Sequence, residues 1–248
     1  MKAGKLENAI IIILSFPDTI VRPAYWEFSS KIWPKIGIGS KHAIQAGHSA
    51  LLLIEKNKPE IKYFDFGRYI TSYGSGRVRS FETDPEIYIP LKASFENNTL
   101  TNLDTILLWM EKYPEKTHGE GRLIASVNQH INYDNAINHI NNLIDKKEYP
   151  YGPFIKKGSN CARFVADTLI NSCTKKSVQL KLKSSYLVTP SPIGNTLKGK
   201  TNKVVYTVKN QTIAEYKNRS ILKEYNAAFF KTFDTSEQNF VGTELPDT

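Results

Sequence analysis

Cys161 is the residue of this chain best placed, by its type and its neighbours, to do covalent chemistry. It follows Gly158-Ser159-Asn160 and opens the apolar run Cys161-Ala-Arg-Phe-Val-Ala-Asp-Thr-Leu-Ile170. That pattern predicts a helix with Ser159 or Asn160 as its cap. A thiol in the first helical turn faces unpaired backbone N–H groups and the positive end of the helix dipole, and both favour the thiolate. The same N–H groups can hold the oxyanion of an acyl transfer, with Asn160, Ala162 and Arg68 expected to position it or the substrate. A buried, inert cysteine is the competing reading. It is the reading adopted for Cys173, at the far end of the same helix, where the dipole opposes a thiolate.

A nucleophilic cysteine needs a base. His48 directly follows Gly47 and begins the apolar run Ser49-Ala-Leu-Leu-Leu-Ile54, so its ring can project from a strand end over a cleft. His118, in the Gly-flanked polar loop Thr117-His-Gly-Glu-Gly-Arg122, is the alternative base. His42, His130 and His139 lie in less distinctive surroundings. Asp65, inside the aromatic run Tyr63-Phe-Asp-Phe-Gly67, is a carboxylate where burial is costly without a partner. Strand periodicity puts Tyr63, Asp65 and Gly67 on one face. The partner of Asp65 is either a histidine, which it would orient for catalysis, or one of Arg68, Arg77 and Arg79 in an ion pair.

These candidates need elements to hold them. Ala9-Ile-Ile-Ile-Ile-Leu14 reads as a buried strand; with six apolar residues, Glu7 before it and Pro17-Asp18 after it, it does not read as a signal peptide. An aromatic segment with Tyr25, Trp26, Phe28 and Trp33 follows and suits a short helix. His48–Ile54 and Ile61–Phe66 are expected to form a hairpin, with further strands near Arg77–Phe81 and Glu86–Leu91. Leu103–Tyr113 and Asp134–Lys147 carry helical periodicity, and Ser72-Tyr-Gly-Ser-Gly-Arg77 reads as a turn. Pro190-Ser-Pro-Ile-Gly-Asn195 reads as a rigid loop lining the cleft. Val204–Val208 and Thr212–Tyr216 form a late hairpin. The order implies an α+β fold, with one domain over 1–231 and a disordered acidic tail over 232–248.

Composition limits the remaining choices. The chain has 248 residues and a net charge of +9, with two cysteines and no low-complexity bias. A disulfide framework is excluded, and no apolar run approaches the eighteen residues of a membrane span. The surplus charge is local: residues 174–231 hold twelve Lys or Arg against Glu215 and Glu224. Such a stretch is either a solvated face or a site for an anionic surface. Its near-complete lack of arginine and of a recognition motif argues against nucleic acid. Neither the cysteines nor the histidines have the spacing of a metal site, and no cofactor motif is present.

Gly47-His48-Ser-Ala-Leu-Leu-Leu, Tyr63-Phe-Asp-Phe-Gly67 and Ser159-Asn160-Cys161-Ala-Arg-Phe-Val-Ala-Asp-Thr-Leu together resemble the circularly permuted NlpC-type branch of the papain-like superfamily. That branch includes lecithin retinol acyltransferase-like proteins and bacterial amidase and peptidase relatives. In it the histidine strand precedes the cysteine helix, the reverse of the papain order. The resemblance spans residues 46–170. It implies an antiparallel sheet packed on helices, Cys161 as nucleophile, His48 as base and Asp65 as the orienting residue. The expected function is a thiol hydrolase or acyltransferase acting on an amide, peptide or acyl-lipid ester in the cytoplasm. The alternative is a non-catalytic module that keeps the fold and binds a ligand in the cleft or at the basic region.

Overall fold

The computed structural model describes residues 6–32 and 43–217. Strand β1 (Ala9–Phe16) is followed by a 3-10 turn at Phe28–Lys31, then by β2 (His48–Glu55), β3 (Lys62–Gly67) and β4 (Ser75–Arg79). A small hairpin, β5 (Phe95–Glu96) and β6 (Thr99–Leu100), leads into helices α1 (Leu103–Lys112) and α2 (Pro114–Thr117). Next come β7 (Leu123–Ile131), α3 (Tyr133–Asp145), β8 (Tyr149–Pro150) and α4 (Cys161–Ser172). Helices α5 (Lys176–Lys183) and α6 (Pro192–Gly199) and the hairpin β9 (Val204–Lys209) and β10 (Thr212–Lys217) complete the described chain. His42, Trp33, the acidic tail and the basic residues beyond 217 lie outside the described residues.

Among the described residues, eight strands form one sheet in the order β10-β9-β7-β1-β2-β3-β4-β8, with antiparallel neighbours throughout. β1 lies between β2 and β7 and is buried at every position. Its alternate residues serve two cores. Ile10, Ile12, Leu14 and Phe16 pack with Ile106, Leu107 and Met110 of α1. Ala9, Ile11 and Ile13 pack with Ile140 of α3 and with Phe164, Val165 and Leu169 of α4. A strand covered on both faces has no polar side to alternate with, which is why its sequence is an unbroken run of isoleucine.

The large antiparallel sheet with its helices agrees with the α+β expectation, and the hairpin of β2 and β3 and the hairpin of β9 and β10 stand where the sequence placed them. Two expectations differ, and β7 has no counterpart among them. β7 pairs with both β1 and β9 but reads as polar in sequence because Ser126 and Asn128 interrupt it. Both are buried and satisfied: the Ser126 hydroxyl donates to Thr196 O at 2.6 Å and Asn128 Nδ2 donates to Gly199 O at 2.7 Å. The segment Glu86–Leu91 is no strand. It starts in a 3-10 turn at Pro85–Ile87 and carries Pro90, and it inserts Ile87 and Ile89 into the α1 core without joining the sheet. Pro190–Asn195 runs into α6 instead of forming a loop: the Ser191 hydroxyl accepts from Gly194 N at 3.2 Å, and Pro192 occupies the first turn.

Candidate active site

Two adjacent strands and one helix end bring the candidate residues together. β2 and β3 pair with Ala50 opposite Asp65, which leaves His48 at the start of β2 beyond the ladder and free to turn its ring toward Asp65. His48 Nε2 lies 3.2 Å from Asp65 Oδ2, and both side chains are buried. The ring stacks on Phe16, its register partner on β1, with centroids 6.4 Å apart. The preceding Gly47 takes φ +70°, and a Cβ there would stand 3.0 Å from Phe16 O. Glycine is therefore what lets the chain enter β2 at this angle.

Cys161 is the first residue of α4 and is 8% exposed. Asn160 caps the helix, its side-chain oxygen accepting from Arg163 N at 2.8 Å. The thiol and the His48 ring line the same cleft, and Cys161 is one of the groups that favour the charged form of His48. Ala162 is fixed from the far side by Asn195 of α6, whose Nδ2 donates to Ala162 O at 2.7 Å. The amides of Cys161 and Ala162 belong to the first turn and have no intrahelical acceptor.

Asp65 answers the sequence question with both alternatives at once. Arg79 faces it directly across the β3–β4 ladder. Arg79 Nε donates to Oδ1 at 3.0 Å and Nη2 to Oδ2 at 2.6 Å, while Oδ2 also accepts from the hydroxyls of Tyr63 at 2.7 Å and Tyr69 at 3.0 Å. Burial works to raise the Asp65 pKa, but Arg79 and His48 outweigh it and hold the carboxyl far below the usual range. For His48, burial disfavours the cation, yet the Asp65 carboxylate, which accepts from the ring, and the neighbouring Cys161 outweigh it and raise its pKa to about 9.

His118 reaches the same cleft from another side. It follows α2 in the left-handed region at φ 49°, and its ring lies 5.3 Å from that of Tyr69. Burial, reinforced by the charge of Arg79, lowers its pKa to about 4. The loop that presents it is tied to the Asp65 network, since Tyr63 donates to Thr117 O and Arg79 to Lys116 O, both at 3.2 Å. Arg68 forms part of the wall, donating to Arg22 O at 2.7 Å with its guanidinium 5.3 Å from the ring centroids of Trp26 and Tyr151.

Cys161, His48, His118, Tyr69 and Arg68 line a cleft of about 530 Å³ whose walls also include Val21, Ile44, Phe66, Phe154, Val188 and Pro192, while Asp65, Arg79 and Tyr63 stand behind it. A few polar groups converging in a mostly apolar cleft of this size are the usual form of a ligand site. The other histidines stand elsewhere: His130 Nδ1 lies 2.7 Å from Glu7 Oε2, and His139 is on α3. Cys173 caps the far end of α4, buried beside Asn128. Sequence reasoning missed the roles of Asn195 and Tyr69, and it left Arg79 as one of three arginines that could pair with Asp65. Arg77 and Arg79 share one face of β4, so only the register, which sets Arg79 opposite Asp65, separates them.

Residues 11–178 match the family model described as type VI secretion system effector TseH-like. The chain belongs to this family. The matched span contains His48, Asp65 and Cys161. The crystal structure of the type VI secretion system effector TseH superimposes with a TM-score of 0.50 at 14% identity, covering 87% of this chain and 100% of that chain. At this identity the likeness to TseH speaks for the shared fold. No curated protein matches the chain. At a coarse level, membership of the TseH-like family agrees with the papain-like superfamily expected from the sequence. No helix among the described residues is long and apolar enough to cross a membrane.

Proposed function

We propose that the chain is a thiol hydrolase of the permuted NlpC-type, papain-like kind, acting as a secretion effector on an amide, peptide or ester substrate. The observation that carries this reading is the convergence of Cys161 and His48 on one cleft, with Asp65 3.2 Å behind the imidazole. With Nε2 of His48 turned to Asp65, Nδ1 is the nitrogen left to take the thiol proton. Cys161 Sγ attacks the carbonyl carbon, and the first-turn amides of α4 receive the oxyanion. When the tetrahedral adduct collapses, the C–N or C–O bond breaks and His48 returns its proton to the leaving amine or alcohol. Water then attacks the thioester, with His48 taking the water proton and passing it back to the departing thiol. An acceptor other than water would make the same adduct an acyltransferase intermediate.

Asp65 is given the orienting role: its charge favours the imidazolium and its position fixes the ring. His118, held neutral near pH 7 by burial and Arg79, is not proposed as the base. Family membership also moves the expected place of action from the cytoplasm of the producing cell to wherever the effector is delivered.

The test is the rate of iodoacetamide alkylation of Cys161 against pH, followed by intact mass, in the native chain and in His48→Ala. Fast alkylation below the usual thiol range, lost in His48→Ala, is the expected result. Two cysteines that react slowly and ignore His48 would sink the catalytic reading and favour a ligand-binding module.

A further inference from the structure

Large apolar side chains stand in solvent on the cleft wall and on the segment that leads to it from α5. Leu187 is 89% exposed and Val188 74% exposed, and Val188 is itself part of the cleft wall together with Phe154, which is 45% exposed. Leu180, on α5, is 66% exposed. Helix α5 buries Val178 and Leu182 and turns the stripe Lys176, Leu180 and Lys183 outward. Lys175 and Lys181 are also exposed, as are Lys156 and Lys157 close in sequence to Phe154. Residues 174–217 contain nine lysines against the single acid Glu215.

Neither half of this pattern explains the other. A soluble polyanion would match the lysines but has no use for exposed leucine and valine. A hydrated face would carry the lysines alone. Apolar side chains that stand out between lysines, on a short helix beside a cleft, match the layering of an anionic bilayer, where acyl chains lie just beneath charged headgroups.

We propose that this rim docks the protein on an anionic membrane surface, with α5 at headgroup level and the cleft mouth turned to the bilayer. The inference deepens the hydrolase reading, since it places the substrate of Cys161 at a membrane surface. The lysines supply attraction that salt screens, and Leu180, Leu187 and Val188 supply insertion that salt leaves intact.

The experiment is flotation of the full chain carrying Cys161→Ala with phosphatidylcholine vesicles, with and without phosphatidylglycerol. Partitioning is expected to be at least about tenfold stronger on the anionic vesicles. Leu180→Asp with Leu187→Asp, and separately Lys176→Glu with Lys183→Glu, are each expected to reduce it by about tenfold or more. All four positions are exposed, and unchanged Cys161 alkylation when the same pairs are placed in the native chain shows that the fold is intact. Absence of binding, equal binding to both vesicle types, or binding that ignores the leucines overturns the proposal. Tighter binding of single-stranded DNA, insensitive to the leucine pair, overturns it in favour of a soluble polyanion. The two assays separate the two readings: flotation of Cys161→Ala can fail while His48-dependent alkylation of the native chain survives, and the reverse.

Discussion

Arg79 holds both carboxylate oxygens of Asp65, Nε to Oδ1 at 3.0 Å and Nη2 to Oδ2 at 2.6 Å, although His48 draws on the same Oδ2. The two charges are almost fully buried, at 1% and 0% side-chain exposure. A permanent cation therefore sits on the residue proposed to orient the base. Removing one partner strands the other charge in the interior. Arg79→Met is expected to cost about 3–5 kcal/mol of stability, whereas Arg79→Met with Asp65→Asn costs less than the two single changes added. Urea unfolding of the four proteins closes the cycle, and strict additivity would contradict the pairing.

His48 provides a pH signature. Its pKa is raised to about 9 in the folded protein, above the ordinary value near 6.5. The stability it contributes is therefore complete below about pH 6.5 and is lost as pH rises through about 9. The stability gap between the native chain and His48→Gln should shrink over that window. NMR titration of the ring should show a midpoint near 9 that falls in Cys161→Ala and in Asp65→Asn. An unchanged midpoint in both would deny the contacts.

Asp65 has the opposite sign. Its carboxyl titrates far below the ordinary range, so its contribution is present above about pH 4 and disappears on further acidification. Asp65→Asn should lose the steep acid limb of unfolding that the native chain shows between about pH 5 and 2. An identical limb in both proteins would assign it to other carboxyls.

The two histidines of the cleft can be told apart. His118→Gln should leave the pH dependence of Cys161 alkylation in place, because its imidazole is neutral at the pH of the assay. His48→Ala should lower the rate near pH 6 by about 10²-fold or more. The reverse ranking would reassign the base.

Gly119 tests the wall beneath the base. A Cβ there would fall 2.2 Å from the ring of Phe16, the residue that stacks on His48. Gly119→Ala should cost about 1–3 kcal/mol through overpacking and should slow Cys161 alkylation as the Phe16 ring shifts toward His48. A variant with unaltered stability would show that Phe16 has room to move.

The sequence makes the site more legible than the scaffold. Cys161, His48 and Asp65 advertise themselves because each is a chemical type set where packing alone would choose otherwise. β7 and α6 do not, because each looks polar or broken until its partner is known. Asn128 reads as a surface residue, yet it is the buried bridge from β7 to the carbonyl of Gly199. Ser191-Pro192 carried a legible helix-start signal, but the flanking proline at 190 made it look like a loop. The choice between an arginine and a histidine partner for Asp65 was also undecidable from spacing, since one carboxylate has lone pairs enough for both.

The order in which the site's parts leave the ribosome has its own consequence. β1 and β2 emerge early, but β7 closes the sheet on the other flank of β1 only after residue 131, and α4 and α6 come later still. A nascent chain shorter than about 160 residues therefore carries His48 and Asp65 without Cys161. Long-range strand pairing of this kind is slow to form. A lag between synthesis and completion of the candidate site is thus written into the topology.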